Sequence, residues 1–159
     1  MINSTYEVMQ TVLDDLKELL KDKTYEIDGE QIPFKYYLQE VPAPTSDDDD
    51  FEILPYCLVQ CLEGTFNEWN NTRELSLAVI FCIYNADSNK TGSMEVINLV
   101  DEVYKHYMQS TKIGTNVIQL PIDFTTQTLT EEDTYPYYFC ALKINLECNG
   151  SYLSDDDLT

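Results

Sequence analysis

The sequence predicts an α+β domain in which a mostly antiparallel β-sheet carries two packed α-helices. Two long segments repeat apolar side chains every three or four residues, which is the spacing of one helical face. Five shorter segments, rich in β-branched and aromatic residues, predict strands. The segments run in the order helix, strands, helix, strands, without the repeating βαβ unit that is typical of a parallel sheet.

The first helix is predicted from about Thr5 to Lys23. Ser4 and Glu7 have the spacing of a capping box, which marks a helix start. The apolar stripe that follows comprises Tyr6, Met9, Leu13, Leu16 and Leu20. A helix with one apolar stripe packs that face against a sheet and leaves its charged face in solvent.

Three strands are predicted between the helices. A turn at residues 28–29 precedes a strand at 34–39, and further strands follow at 56–62 and 75–84. The strand at 75–84 has apolar residues at both odd and even positions. We therefore expect it to be central in the sheet and covered on both faces.

The second helix is predicted from Met94 to about Gln109, after a polar loop at 85–92 and with Ser93 as its cap. Apolar side chains cover well over one face of this helix. So broad an apolar surface needs contacts on more than one side. We expect the helix to lie between the sheet and a second partner, either the first helix or a neighbouring subunit.

The carboxyl-terminal part of the chain predicts two more strands. A short strand at 117–120 is expected to stop at Pro121, because proline cannot donate a hydrogen bond to a neighbouring strand. A polar connection at 124–134 leads to the last strand at 137–147, in which apolar and polar residues alternate. This alternation predicts a strand with one buried face.

Charge limits the classes of partner. The 159 residues have the size of one domain, here 1–159, and 29 acidic side chains against 9 basic ones give a formal net charge of −20. Because there is no cluster of lysine or arginine, tight binding to nucleic acid and attachment to an anionic membrane are not expected. The runs of aspartate predict a solvated acidic loop at 45–51 and a mobile acidic tail at 153–159.

The compartment is predicted from the amino terminus and the cysteines. The first residues lack the basic region and apolar run of a signal peptide. No segment approaches the ~18 consecutive apolar residues that span a bilayer. Five cysteines, an odd number, favour reduced thiols over disulfides. We expect a soluble protein that is intracellular when made.

Residues that could perform catalysis or bind zinc are scarce. Cys57 and Cys61 lie four apart in one predicted strand, and Cys140 and Cys148 lie eight apart in another. Zinc ligands usually come in closer pairs from tight turns, so we expect buried structural thiols. His106, the single histidine, is predicted on the surface near the end of the second helix, with no nucleophile or carboxylate assigned to it.

Other polar and aromatic groups also favour binding to proteins over chemistry. Asp47–Asp50 and Asp87–Asn89 offer oxygen ligands but lack the spacing of an EF-hand loop. Tyr135, Tyr137 and Tyr138 lack the nearby cations that base-stacking grooves contain. No metal, no cofactor and no enzymatic activity are predicted. The tyrosines favour core edges or a protein interface.

Three segments identify a resemblance when they are taken together. They are residues 54–64, the strand 78–84 that leads into the helix 94–107, and residues 132–139, which read Glu-Asp-Thr-Tyr-Pro-Tyr-Tyr-Phe. In this combination the chain resembles the tail-terminator (tail-completion) proteins of tailed bacteriophages that infect low-GC Gram-positive bacteria. The resemblance covers residues 54–148.

The resemblance implies a small α+β subunit that closes into a ring, usually a hexamer, at the head-proximal end of the tail tube. The ring would stop tube polymerisation and join the tail to the head connector or stopper protein. Its partners would be other copies of itself, the tail tube protein and the connector, while phage DNA passes through the lumen without specific binding. The implied location is the tail–head junction of the virion, after assembly in the host cytoplasm.

In such a ring, carboxylates around the lumen would repel passing DNA over the Debye length of about 8 Å at physiological salt. Assembly would depend on short-range contacts, for which the tyrosines and the broad apolar surface of the second helix are candidates. The candidate interface residues are Asp87, Asn89, Tyr104, Tyr107, Asp133, Tyr135 and Tyr137.

Two alternative functions stay open. One is a head-completion or neck connector component, which would bind heads that carry the portal instead of tail tubes. The other is an acidic mimic of DNA that inhibits a host nucleic-acid-binding protein, because the net charge of −20 suits that role. A mimic would be a monomer or dimer whose binding depends strongly on salt, whereas a ring former would assemble on tubes.

Overall fold

The computed structural model describes residues 4–43, 53–67, 72–89, 91–126 and 135–149. These residues form two helices and eight strands, so the α+β class predicted from the sequence is confirmed. The elements in chain order are α1 (Thr5–Leu20), β1 (Thr24–Ile27), β2 (Glu30–Pro33), β3 (Lys35–Leu38), β4 (Tyr56–Asn67), β5 (Thr72–Tyr84), α2 (Gly92–Gln109), β6 (Lys112–Ile113), β7 (Asn116–Thr126) and β8 (Tyr137–Asn149).

Three predicted features lie outside the described residues. They are the acidic loop at 45–51, the acidic tail at 153–159 and the candidate interface residue Asp133. Neither helix in the described ranges combines the length and the apolar character needed to span a bilayer.

Six strands form one sheet in the order β3-β4-β5-β8-β7-β6. The pair β3–β4 is parallel and the other four pairs are antiparallel, as expected for a mostly antiparallel sheet. β5 pairs with β4 on one side and with β8 on the other, so its predicted central position is confirmed. β1 and β2 form a separate antiparallel hairpin around the turn at residues 28–29.

Both helices pack on the same face of the sheet and bury the main core. On that face β5 contributes Leu75, Leu77, Val79, Phe81 and Ile83, all in the main core. α1 packs against β3 and β4 near one edge and also contacts β6 at the opposite edge, while α2 packs across β5, β8 and β7. Because one helix reaches both edges, the sheet is curled.

The opposite face of the sheet is covered at one end only. A small apolar cluster there consists of Ile27, Leu54 and Cys82, with partly buried aromatic neighbours. Toward the other end, the same face carries polar side chains, where the Ser76 hydroxyl donates to Asn145 Oδ1 over 2.6 Å. The prediction that this strand is covered on both faces is therefore right for the carboxyl-terminal part of β5 and wrong for its first half.

The start of α1 is as predicted and its end is not. Ser4 caps the helix, since its side chain accepts from the Glu7 backbone N–H over 3.1 Å and the Glu7 carboxylate accepts from the Ser4 backbone N–H. The helix ends at Leu20, three residues before the predicted end at Lys23. Residues 24–33 instead form the β1–β2 hairpin, which was predicted only as a turn.

The cap of α2 also differs from the prediction. α2 begins at Gly92, so Ser93 lies inside the helix, and the N-cap residue is Thr91. The side chain of Thr91 forms no capping hydrogen bond. Its hydroxyl instead donates to Asp87 Oδ2 over 3.0 Å and accepts from Asn85 Nδ2 over 3.2 Å. The cap hydroxyl therefore organises the preceding loop instead of the helix end.

The predicted stop at Pro121 is wrong. β7 runs through Pro121 to Thr126, and its pairing with β8 is irregular between Gln119 and Asp123. A strand irregularity is a position where proline is tolerated, since the ladder there does not need its missing N–H. Phe124 to Thr126 are therefore strand residues and not part of a polar connection.

Candidate functional site

Four of the seven candidate interface residues converge at one end of the sheet. Asp87 and Asn89 lie in the loop between β5 and α2, Tyr135 lies in the turn before β8, and Tyr137 is the first residue of β8. Tyr137 is the cross-strand neighbour of Tyr84, and their rings make an edge-on contact with centroids 5.9 Å apart. The hydroxyl of Tyr135 donates to the carbonyl oxygen of Ala86, which ties β8 to the loop.

The loop at 85–91 is held by its own side chains. Asn85 Oδ1 accepts from the Asp87 backbone N–H over 2.8 Å, and Asp87 Oδ1 accepts from the Asn89 backbone N–H over 2.9 Å. Asx side chains form such local bonds to the backbone readily, which is why they are common in turns. With the bond from the Thr91 hydroxyl, both carboxylate oxygens of Asp87 serve the shape of this loop.

A cavity of about 630 Å³ opens beside this loop, and we call it the Tyr25 cavity. It lies between the β1–β2 hairpin, the loop after β5 and the first turn of α2. Its lining residues are Thr24, Tyr25, Glu26, Asp28, Gly29, Gln31, Tyr84, Asn85, Ala86, Asp87 and Glu95. A cavity with walls from three separate elements is a concave site that a protruding group of a partner can enter.

The Tyr25 cavity is strongly acidic. Among the lining residues that the structure describes, four carry carboxylates and none carries a lysine or arginine side chain. Burial, followed by the nearby carboxylates of Glu95 and Glu102, raises the pKa of Tyr25 well above its usual range. Tyr25 therefore keeps its hydroxyl proton at neutral pH and remains a hydrogen-bond donor, with its ring held edge-on against Phe34 at 5.3 Å.

Two predicted interface residues lie elsewhere, in the second half of α2. Tyr104 is exposed, at 38% of its surface. Tyr107 is fully buried in the main core, so its prediction as an interface residue is corrected. Burial and the neighbouring Asp15 carboxylate raise the pKa of Tyr107, although no described residue makes a well-formed hydrogen bond with its hydroxyl. A side chain in this position stabilises the fold and presents no surface to a partner.

A second candidate surface runs along α2. Met94, Ile97, Tyr104 and Met108 are spaced so that they share one flank of the helix, beside the stripe that faces the core. Met94 is 58% exposed and Met108 is 43% exposed. We call these four residues the α2 flank. Exposed methionine and tyrosine side chains adapt to a partner surface, so the α2 flank is suited to protein contact.

His106 has a partner that sequence reasoning did not find. Its Nε2 atom lies 3.0 Å from Asp15 Oδ2 on α1, and both side chains are about one third exposed. No local sequence pattern indicates this contact, because the two residues are 91 positions apart. Just after the end of α1, Lys23 Nζ forms an ion pair with Glu102 Oε2 on α2 over 2.7 Å. The contact between His106 and Asp15 joins α2 to α1, and neither residue lines the Tyr25 cavity.

The cysteines are distributed as predicted for structural thiols. Cys57, Cys82, Cys140 and Cys148 are buried, Cys61 is half-buried, and all five are free thiols. Burial raises the pKa of Cys82 and of Cys140 to about 12, which keeps both as neutral thiols. Within the part of the chain that the structure describes, no three His, Cys, Asp or Glu side chains are grouped closely enough to hold a metal ion.

Sequence reasoning missed the hairpin side of the Tyr25 cavity. Tyr25, Glu26 and Asp28 belong to a hairpin whose strands have four residues each. Such short segments carry too few positions for an apolar period to be recognised. The turn at 28–29 was the available signal, and it predicted the bend but not the paired strands.

No family model matches this chain, and no curated protein matches it.

Proposed function

We propose that this chain is a non-catalytic structural subunit of a bacteriophage tail. It forms a ring, usually of six copies, at the head-proximal end of the tail tube, where it ends tube growth and joins the tube to the head connector. The observation that carries the proposal is the convergence of Asp87, Asn89, Tyr135 and Tyr137 on one end of the sheet. Tyr135 and Tyr137 belong to the segment 132–139, and Asp87 lies in the connection between the strand 78–84 and the helix 94–107, so all three are part of the resemblance to tail-terminator proteins.

The shape of the subunit supports a role in assembly. It has two separate candidate surfaces, the Tyr25 cavity at one end of the sheet and the α2 flank along the second helix. A ring requires a heterologous interface, in which two different surfaces of the same subunit meet. A subunit at the head-proximal end of the tube also needs a surface for the last ring of the tube. Two unlike surfaces on one small subunit therefore fit a position between neighbours.

The net charge of −20 is consistent with a ring around DNA. Carboxylates near the lumen repel phosphate groups and prevent the genome from adhering, within about one Debye length of 8 Å. Between copies the same charge opposes association, so short-range apolar and hydrogen-bonded contacts have to outweigh it. The mechanism is steric, since the docked ring covers the surface on which another tube subunit would bind.

The proposal is tested by mixing the purified protein with isolated tail tubes of the cognate phage. Electron microscopy is expected to show a ring at one end of each tube, and tubes that carry it do not grow when free tube subunits are added. The variant Tyr137→Ala is expected to reduce capping. The control variant Tyr6→Ala changes an exposed tyrosine on α1 that does not line the Tyr25 cavity. This control is expected to cap tubes as well as the wild-type protein does. The proposal is contradicted if the wild-type protein binds nowhere on the tubes and the tubes grow as they do without it.

The charge also favours a second function, an acidic mimic of DNA that blocks a basic host protein. Light scattering coupled to size exclusion separates the two functions. A mimic is a monomer or dimer in the presence of tubes, and its binding to a basic partner weakens steeply with added salt. A neck connector component is recognised in the same experiment when the protein binds heads that carry the portal and not tubes.

A further inference from the structure

We propose that the Tyr25 cavity receives an arginine side chain from a different protein of the assembly. This inference rests on the proposed function, because it names the chemistry of the partner that meets this end of the sheet. It adds a specific ligand group, a guanidinium, and a specific set of receiving residues, of which Tyr25, Glu26, Tyr84 and Glu95 are the main ones.

The size and shape of the cavity admit a single long side chain. Its volume of about 630 Å³ lies within the range of known ligand sites, and it is open on one side to solvent. The walls come from the hairpin, from the loop after β5 and from the first turn of α2. A group that enters is therefore contacted from three directions and not from one flat surface.

The carboxylates favour a cation over any other ligand. Glu26 and Asp28 come from the hairpin, and Glu95 comes from α2. Within the described part of the chain, these three carboxylates form no ion pair, whereas both oxygens of Asp87 accept hydrogen bonds from the loop. Three carboxylates with no cationic partner among the described residues make the interior of the cavity strongly favourable for positive charge.

The spacing of these carboxylates favours an organic cation over a metal ion. Cations such as Ca²⁺ need several oxygen ligands within about 2.6 Å. No grouping of this kind occurs at the cavity or elsewhere among the described residues. A guanidinium is larger, presents five donors in one plane and can reach carboxylates on two walls at once.

The tyrosine rings select the same group. Tyr25 and Tyr84 line the cavity, and each ring is held by an edge-on contact, with Phe34 and Tyr137 respectively. A guanidinium stacks on an aromatic face and is attracted to it, more readily than the compact and strongly hydrated ammonium of lysine. Rings already fixed by neighbours do not have to be ordered when the ligand binds.

The ligand comes from another protein and not from a second copy. The sequence contains one arginine, Arg73, and its side chain is 4% exposed in the folded subunit. A second copy therefore has no arginine to insert. A basic side chain also explains how a subunit with a net charge of −20 recognises one partner and repels other acidic surfaces.

The test is a titration of ¹⁵N-labelled full-length protein with the peptide acetyl-Gly-Arg-Gly-amide, followed by NMR. Its matched control is the same peptide with citrulline, which keeps the shape and lacks the charge. The arginine peptide is expected to shift the amide signals of residues 24–31, 84–87 and 95 in a saturable way, and the citrulline peptide is not. Equal shifts with both peptides, or shifts spread evenly over the acidic surface, overturn the inference.

A pair of variants locates the site. The double variant Glu26→Gln and Glu95→Gln is expected to weaken binding of the arginine peptide by about tenfold or more, since it removes two charges from the cavity. The control double variant Asp14→Asn and Asp101→Asn removes two exposed charges on α1 and α2, outside the lining, and leaves the affinity unchanged. Equal affinity of wild type and the cavity variant overturns the inference.

Capping of tail tubes separates this inference from the proposed function. If wild-type protein caps tubes and the cavity variant caps them equally well, the inference fails and the function stands. If wild-type protein never caps tubes but binds the arginine peptide in the Tyr25 cavity, the proposed function fails and the cavity remains a guanidinium site.

Discussion

His106 Nε2 lies 3.0 Å from Asp15 Oδ2, and this contact joins the last turn of α2 to the middle of α1. Both helices pack on the same face of the sheet, so this side-chain contact helps to fix their relative position and with it the placement of the α2 flank. Next to His106, Tyr107 is fully buried and also lies near the Asp15 carboxylate. The Asp15 carboxylate therefore contacts His106 directly and adds negative charge near the buried hydroxyl of Tyr107.

The contact between His106 and Asp15 is expected to stabilise the fold by a measurable amount. A double-mutant cycle of Asp15→Ala and His106→Ala should give a favourable coupling energy of about 0.5–1.5 kcal/mol. Either single substitution already removes the partly buried hydrogen bond to the carboxylate, so the double variant does not lose it a second time. The measurement is urea unfolding at pH 6.5. Asp14→Ala is the control, since Asp14 is exposed and changes stability by less than about 0.5 kcal/mol. A coupling energy near zero would show that the two side chains do not interact in solution.

Gly92, the first residue of α2, packs directly on the ring of Tyr138, and a Cβ atom at this position would overlap the ring. Gly92→Ala is therefore expected to destabilise the fold by about 1–3 kcal/mol, as overpacking does in cores. This outcome is opposite to the usual gain from alanine in a helix. Thermal unfolding measures it.

The matched control for Gly92→Ala is Asn98→Ala, an exposed position in the same helix, which is expected to leave stability unchanged or slightly higher. Adding Tyr138→Val to Gly92→Ala removes the ring and should recover part of the loss relative to Tyr138→Val alone. A stable Gly92→Ala protein would mean that the ring moves aside at little cost.

Long elements with a clear apolar period could be predicted from the sequence, and short or irregular ones could not. The capping box of α1, the central position of β5 and the buried face of β8 follow from local spacing alone. The passage of β7 through Pro121 depends on a local irregularity in its pairing with β8, which no local pattern encodes. Tertiary pairing, and not local propensity, decided that element.

The candidate site was predictable in part for the same reason. The loop residues Asp87 and Asn89 and the tyrosines of β8 were singled out by residue type, and the sheet brings them together. Tyr107 was singled out by the same criterion and is buried, because its position on α2 faces the core. The opposite wall of the Tyr25 cavity comes from a hairpin some 50 residues earlier, which spacing within a segment cannot place.

Alkaline pH is expected to destabilise the fold through the buried cysteines. Burial raises the pKa of Cys82 and Cys140 to about 12, whereas in the unfolded chain a thiol loses its proton near pH 8.5. Above that pH the unfolded state binds fewer protons than the folded state, so the free energy of unfolding falls as the pH rises. Below that pH both states hold the thiol protons, and the contribution of these thiols to stability is fully present. Each such thiol contributes a slope of up to about 1.4 kcal/mol per pH unit.

Urea unfolding of the wild-type protein between pH 7 and pH 10.5 measures this slope. Cys82→Ala removes one of the thiols and is expected to make the dependence on alkaline pH shallower. Cys61→Ala, at the half-buried cysteine, is the comparison variant, and it should retain a slope closer to that of wild type. A slope that does not differ between Cys82→Ala and wild type would assign the alkaline sensitivity to other groups.

The α2 flank is expected to act in assembly and not in folding. Met108 and Tyr104 are both substantially exposed, so Tyr104→Ala combined with Met108→Ser should change the free energy of unfolding by no more than about 0.5 kcal/mol each. If the flank is one of the surfaces that meet in the ring, the same variant loses two anchors and should fail to form rings on tail tubes. Electron microscopy and urea unfolding of the same preparation measure the two effects.

The control Tyr6→Ala removes a still more exposed aromatic side chain from α1 and should preserve both properties. A Tyr104 and Met108 variant that is stable and still forms rings would place the subunit contacts on another surface, whereas one that unfolds would show that these side chains belong to the core of the subunit.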